Sequence, residues 1–544
     1  MSKFYFKVSF IPKLKHRHTS RTRETSGLTF LIFPVIIFIL AGPGIVAIHS
    51  EESAAAVQGA RQETLPHSVA VMPLTNLSPA GKNAFIAAGI HKEILGQLAK
   101  IRGLNVIART SVMNPAYVDG SMSIPAIAAD LDVATIMTGS IMYTGDEVHV
   151  TAQLFDGKTG AQLWTNSFNG SLTDLFGFQT EIASHIADVT QVDLMPEIRS
   201  LINKPVTHSP EAYTLYLKAQ ALVPGTGSPL PLEYYQFLEQ AIAIDPNFAY
   251  AHAAMAFGLG DSLSYSIPVN GYTFPTMERI ALSHIEMVME TGSEIDMAYM
   301  AQAFIHWTHL RGTPAKQAFE RAMQLSPDDV EIMDDYARFL SFTGDHGAAV
   351  ELARRATMLA PRDPASHYLL GHTLAFAGSP AAAVESVRRA ITLNSSASNS
   401  HLLLGEIEFL LGNNKSAQAE LVLSEQLSNP GTDSIEDMAI LIYTYSRLGL
   451  KQDTQRLFSY FNARVATGEY VSTSTLALAY LAIGNKNVTF DLLNRNPNEG
   501  IEALQHIKFN ILKDPALETS RFQELRRRIA RLSGGVTNIQ TPPF

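Results

Sequence analysis

The sequence predicts an α+β protein: one N-terminal transmembrane helix, a small α/β domain with a mixed sheet, then an all-α solenoid of helical pairs. Three observations predict it. Residues 28–48 are an uncharged apolar run, residues 67–193 alternate strand-length and helix-length patterns, and Gly344, Gly378 and Gly412 recur at a step of 34 residues. The same step relates Ala322, Ala356 and Ala390, and again Leu325, Leu359 and Leu393, with Pro327 and Pro361 alongside. A fixed period of this length with small residues at helix contacts marks a helix-turn-helix solenoid.

A chain of 544 residues is too long for one core. Its formal charge of −10 is uneven: residues 1–27 carry seven Lys or Arg against Glu24, a net +6, which leaves −16 on the remainder. An acidic body argues against a nucleic-acid partner, because phosphate binding needs a basic footprint. The basic tail suits an anionic membrane face. With no cysteine, disulfides, thiolate nucleophiles and Cys-ligated metal centres are excluded, while the compartment stays open.

The run LTFLIFPVIIFILAGPGIVAI (residues 28–48) has 21 uncharged residues. At about 1.5 Å per residue it covers a hydrocarbon core of about 30 Å. With basic residues before it and Glu51 and Glu52 after it, the positive-inside bias puts residues 1–27 in the cytoplasm and the bulk outside. That implies a single-pass protein of a bacterial inner membrane, periplasmic beyond a linker at 49–66. The alternative is a cleaved signal peptide and a secreted or periplasmic product, which the Gly42-Pro43-Gly44 break, Ala47 and the Ala54–Ala56 run would allow. Twenty-seven residues ahead of the span leave no room there for a folded effector.

From residue 67 the pattern changes. His67–Leu74 reads as a strand, Ala84–Lys100 as a helix, Leu104–Thr110 as a strand and Ile124–Leu131 as a short helix. Ala134–Tyr143, Val148–Phe155 and Ala161–Phe168 follow as strands joined by turns at Thr144–Glu147 and Asp156–Gly160, and Phe178–Val189 closes the domain as a helix. The segments SVAVMPLTNLS, LNVIARTS, IAADLDVATIMTGSI, VHVTAQLFDGKTGAQLWTNSF and LFGFQTEIASHIA resemble the TolB amino-terminal-like domain. That domain precedes tetratricopeptide repeats in many bacterial adenylate cyclases and membrane-bound transcriptional regulators, and the resemblance implies fold and arrangement rather than catalysis. Gly157-Lys158-Thr159 lacks the earlier glycine of a phosphate loop, since Ala152 stands there, and reads as a hairpin turn. Trp164 reads as a cross-strand core residue, and Asn76 and Arg109 as loop caps at strand exits.

Ser209-Pro210 opens the solenoid, predicted over 209–505, with a capping helix and tail at 506–544. AIAIDPNFAYAHAAMA, FERAMQLSPDD and LARRATMLAPRD resemble tetratricopeptide repeats, and about seven units are expected, with Leu259–Pro275 an insertion. Ala337, Gly371 and Gly405 precede the glycine ladder by seven residues, and Ala349, Ala383 and Ala417 follow it by five, where paired helices cross. The first helices of such an array line a concave surface suited to an extended or helical partner. The register assigns it Asp334, Arg338 and Phe342, then Tyr368 and His372, then Leu402, Glu406 and Phe409.

His367 and His401 share one repeat position, and His306 and His309 share a helical face, but no third ligand completes a metal site and packing is the preferred role. No nucleophile elbow or acid–base pair stands out, so neither catalysis nor a cofactor is expected. The expected function is a membrane-anchored scaffold with a protein or peptide partner. The alternative is a regulatory or sensory protein related to the cyclases and regulators above, lacking an effector domain of its own.

Overall fold

The computed structural model describes residues 65–495, apart from 79–83, 145–146, 172–173, 193–205, 224–229, 266, 268, 270, 310, 429–433 and 470, together with residues 520 and 524. The tail at 1–27, the span at 28–48, nearly all of the linker at 49–66 and nearly all of 506–544 lie outside the described residues. Among the described residues no helix is long and apolar enough to cross a membrane.

The sheet is mixed, as the pattern predicts. Its strands are β1 (Leu65–Val71), β2 (Thr75–Asn76), β3 (Asn105–Val106), β4 (Val133–Thr144), β5 (Glu147–Asp156) and β6 (Gln162–Ser171), in the order β3-β1-β4-β5-β6, with β2 also on β4. β1 lies parallel to β3 and β4, so each link needs a crossover, and α1 (Ala84–Ala99) supplies the first. Val69, Ala70 and Val71 are fully buried because both faces of β1 are covered. In β5, Val148, Val150, Ala152 and Leu154 are buried in alternation, as a strand with one covered face requires. One face of the sheet packs on α1 and α5 (Leu175–Val189). The other packs on α2 (Arg109–Val112), α3 (Pro115–Val118) and α4 (Ile124–Leu131). Gly157 is a turn residue as expected: Asp156 Oδ1 accepts from the Lys158 and Thr159 amides and the Thr159 hydroxyl, closing the loop on itself.

Two local expectations are corrected. The strand predicted over Leu104–Thr110 pairs only at Asn105 and Val106, because the Ala108 amide leaves the sheet to bond the Leu359 carbonyl at 2.8 Å and Arg109 starts a helix. Trp164 lies at the margin of the core rather than inside it: half-buried, it packs against the apolar cluster, faces Leu154 across the ladder and stacks on His185 with centroids 4.9 Å apart.

Eight helical pairs follow among the described residues, one beyond the seven expected. They are α6 (Pro210–Ala221) with α7 (Leu232–Ile244), α8 (Ala249–Ser264) with α9 (Phe274–Glu290), α10 (Asp296–Thr308) with α11 (Gly312–Leu325), and α12 (Val330–Thr343) with α13 (His346–Leu359). Then come α14 (Pro364–Phe376) with α15 (Pro380–Leu393), α16 (Ser398–Leu410) with α17 (Asn414–Leu427), α18 (Ile435–Arg447) with α19 (Lys451–Ala466), and α20 (Thr473–Ala482) with α21 (Lys486–Arg495). The supposed insertion begins as helix, since α8 runs on to Ser264. Gly344 ends α12 with φ of 94°, a left-handed turn that favours glycine. The small residues hold the predicted crossings: a Cβ on Gly371 would stand 2.3 Å from Val387 Cγ2, and one on Gly405 would stand 2.7 Å from Leu421.

The sheet and the solenoid do not form separate cores. α1 lies on α6 so closely that a Cβ on Gly89 would come within 2.9 Å of the Leu217 carbonyl oxygen. One apolar cluster runs from Val69 and Ile90 through Leu217 and Phe248 to Ile305.

Candidate functional site

The seam extends well past α6. The stretch from Ala99 to Ser111 leans on the turns that lead into α12 and α14. There the Asp328 amide bonds the Ala99 carbonyl at 3.4 Å, and the Arg362 amide donates to Ser111 Oγ at 3.1 Å. Arg362 also pairs with Asp130 at the end of α4, which accepts from the Tyr117 hydroxyl as well. Between α1 and the solenoid sits a second polar group. Tyr216 donates to the buried Glu93 at 3.0 Å, and burial raises the Glu93 carboxyl above its usual range.

Within the seam is a cavity of about 580 Å³, in the range of small-molecule sites. Its wall on the sheet side brings Lys92 and Arg109, and its wall on the solenoid side brings Asp328, Asp329, Glu331 and Asp363. Leu95, Val106, Ile107, Met113 and Val330 give it an apolar lining. Both walls follow from local sequence. Arg109 is placed by the departure of the chain from β3; Asp328, Asp329 and Asp363 belong to the turns before α12 and α14, where Asp329 and Asp363 cap the helices, and Glu331 lies in the first turn of α12.

The polar groups are incompletely satisfied. Arg109 Nη1 donates to the Val223 carbonyl at 3.2 Å, yet its buried Nε has no partner. Asp363 Oδ1 takes the Ala365 amide at 3.0 Å and Asp328 Oδ1 takes Arg355, while the Oδ2 atom of each is buried without a partner. Burial raises the Asp363 carboxyl, against the Ala365 amide and the nearby Thr110 and Ser366 hydroxyls, and raises Asp328 against Arg355. Asp329 is pushed up to about 7 by burial and by the Glu331 and Asp296 charges.

The eight residues assigned to a concave surface lie elsewhere. Asp334, Phe342, His372, Leu402 and Glu406 are buried; Arg338, Tyr368 and Phe409 are partly exposed. Asp334 accepts from Ser366 of the next pair at 2.9 Å, and burial lifts its carboxyl well above the usual range. Arg338 pairs with Asp335 at 3.4 Å, bonds the Tyr265 hydroxyl and stands over the Tyr265 ring. Phe342 packs against Trp307, and His372 stacks on Phe376 with centroids 4.4 Å apart. The structure thus brings these residues into the array's own packing, and the expectation of an open row of eight contact side chains is narrowed to the three with exposed surface.

The recurring histidines have a specific task. His252, His367 and His401 occupy the fourth position of α8, α14 and α16, and Nε2 of each bonds the carbonyl six residues back, at 2.9, 3.1 and 3.3 Å. The 34-residue spacing of His367 and His401 therefore reflects the tying of each inter-pair turn to the helix that follows it. His309 meets Glu278 at 2.7 Å.

Sequence reasoning missed the cavity. Arg109 reads from the sequence as a loop cap, whereas Lys92 and the carboxylates at 328, 329, 331 and 363 carry no signal there, because nothing local marks the segment that a turn will face.

Fold and seam together define a helical-pair solenoid with a sheet domain built onto its side. Residues 364–396, which cover α14 and α15, match the tetratricopeptide repeat family. Over 189 residues the chain is 30% identical to the protein named "Putative adenylate cyclase 3" of Rhizobium meliloti strain 1021, a stretch covering 35% of this chain and 32% of that protein. The chain thus spans about a third of that relative. Among solved structures, Pseudomonas aeruginosa PilF is 15% identical, with 43% of this chain and 98% of that chain covered and a TM-score of 0.32. Human IFIT1 is 14% identical, with 59% and 80% covered and a TM-score of 0.40.

Proposed function

We propose that this protein is a protein-interaction scaffold, anchored through residues 28–48 in a bacterial inner membrane, with the bulk of the chain on the periplasmic side. The observation that carries the reading is the array of eight helical pairs among the described residues, with a match to the tetratricopeptide repeat at 364–396, because stacked pairs of this kind present long surfaces to peptides and helices. Arg338, Tyr368 and Phe409 are the contact residues it favours, since each keeps exposed surface on a first helix.

A photo-crosslinking residue at Phe409 should capture a discrete protein partner in cells, whereas the same residue at Met358, exposed on a second helix, should not. Identical adducts from both positions, or none from Phe409, would count against the reading. The absence of native cysteine makes the topology directly testable. Ser50→Cys should react with a membrane-impermeant maleimide in intact spheroplasts, and Ser20→Cys only after permeabilisation. A cleaved product released from the membrane would instead support the signal-peptide alternative.

The similarity to the Rhizobium protein favours a second reading, a regulatory or sensory part that acts on an effector. A nucleotide cyclase or a transcriptional regulator as the crosslinked partner would select it.

A further inference from the structure

We propose that the seam cavity is a binding site for a small zwitterion with an apolar body, of the class of an apolar amino acid or dipeptide. The two walls differ in sign. Lys92 and Arg109 come from the sheet domain, Asp328, Asp329 and Asp363 from the turns before α12 and α14, and Glu331 from the first turn of α12. A simple anion drawn to Arg109 would face four carboxyl groups, and a simple cation drawn to those groups would face two positive side chains. A dipolar ligand satisfies both walls, with its carboxylate toward Arg109 and its ammonium toward Asp363 and Asp328.

The unsatisfied atoms point the same way. Asp328 and Asp363 are 3% and 4% exposed, line the cavity, and each keeps an Oδ2 without a partner. A buried carboxylate oxygen without a donor is costly, and an ammonium group supplies that donor. Arg109 Nε is a buried donor without an acceptor, and a ligand carboxylate supplies one. Between the charged walls, Leu95, Val106, Ile107 and Met113 offer room for an aliphatic side chain.

Gly96 gives the site a clean test. It lies in the interior of α1 and lines the cavity, and a Cβ added there would meet nothing within 4 Å. Gly96→Leu therefore fills the cavity from a position where leucine is also the better helix former. A ligand on this seam touches both the sheet domain and two solenoid turns, so binding should raise the unfolding temperature of the whole unit.

The experiment is calorimetric titration and thermal unfolding of the full chain in detergent with L-leucine and L-leucyl-L-leucine. Leucinamide, which lacks the carboxylate, and 4-methylpentanoate, which lacks the amine, serve as single-charge probes. Saturable binding of at least one zwitterion, with both single-charge probes at least tenfold weaker, is expected. Arg109→Gln and Asp363→Asn should each weaken it at least tenfold, the asparagine keeping the cap of α14. Gly96→Leu should abolish binding while the unliganded unfolding temperature holds or rises. The proposal is overturned if neither zwitterion binds, if leucinamide or 4-methylpentanoate binds as tightly, or if Gly96→Leu folds normally and binds unchanged. It does not rest on the scaffold reading, and crosslinking at Phe409 tests that one separately.

Discussion

The crossings inside the regular pairs and the seam between sheet and solenoid are both close helix contacts, yet they are built from opposite materials. Between α14 and α15 the contact is dry: Gly371 admits Val387, and Ala383 and Ala390 are fully buried beside it. Between α1 and α6 one glycine makes the approach, at Gly89 and Leu217, and around it stand Glu93, Tyr216 and Lys100. The first contact recurs where Gly405 admits Leu421 and can be made from size alone. The second is made once, and buried polar groups stand within it.

The largest test of that contrast is Gly371→Leu. A Cβ there already overlaps Val387, so the helices must part, and a loss of about 3 kcal/mol is expected in chemical unfolding. Val387→Ala in the same chain should recover part of the loss, because it removes the atom that is struck. Independent, additive effects of the two changes would break the account of a dry, size-limited crossing.

On the sheet side, protonation carries the next effect. Burial lowers the His91 imidazole to about 4, against its bond to the Val71 carbonyl and with a smaller push from Arg109. The unfolded chain takes up this proton near pH 6.5 and the folded chain only near pH 4. The contribution of His91 is therefore complete above the higher value and is lost as pH falls toward the lower one. Replacing it by Gln should flatten the acid limb of the stability curve by about 3 kcal/mol over that window. Asp329 works in the other direction. Its folded value near 7 lies above the unfolded 3.8, so the stability it contributes is present at low pH and fades as pH rises through neutrality. Asp329→Asn, which retains the cap of α12, should remove that decline. Parallel pH curves for wild type and either variant would show that these groups titrate alike in folded and unfolded chains.

The same contrast explains what could be read in advance. The glycine ladder and the alanines at 337, 349, 383 and 417 exposed the solenoid because each mark returns after 34 residues, and the strand alternation at 148–155 exposed the sheet because β5 has one wet face. The joining of the two left no comparable mark. Gly89 is one glycine in a helix, and Asp328 and Asp363 look like ordinary caps of inter-pair turns. Five of the eight surface assignments fall on buried side chains for a related reason. A repeat register gives the helix face on which Phe342 or Leu402 lies, but it does not give how deeply neighbouring pairs cover that face.

Tyr216→Phe tests the seam's buried polar group directly. It removes the hydroxyl that donates to Glu93 and takes that donor from a carboxyl at 9% exposure, so a cost of about 1–2 kcal/mol is expected. Combining it with Glu93→Met should cost less than the single change, since removing both partners leaves nothing unsatisfied. A double variant that is worse than either single one would mean that the pair holds the sheet on the array by more than mutual satisfaction.

The smallest effect belongs to the rim. Asp130 and Arg362 are 26% and 30% exposed at their side chains, so solvent screens their attraction even though the Tyr117 hydroxyl also holds Asp130. Asp130→Asn should cost less than about 1 kcal/mol, and that difference should shrink further in high salt. The seam should not open, because the Arg362 amide still bonds Ser111 Oγ and the Ala108 amide still bonds the Leu359 carbonyl. A loss as large as that at Gly371, insensitive to salt, would overturn the division made above. It would mean that a surface charge pair, rather than buried backbone contacts and close packing, sets the position of the sheet on the solenoid.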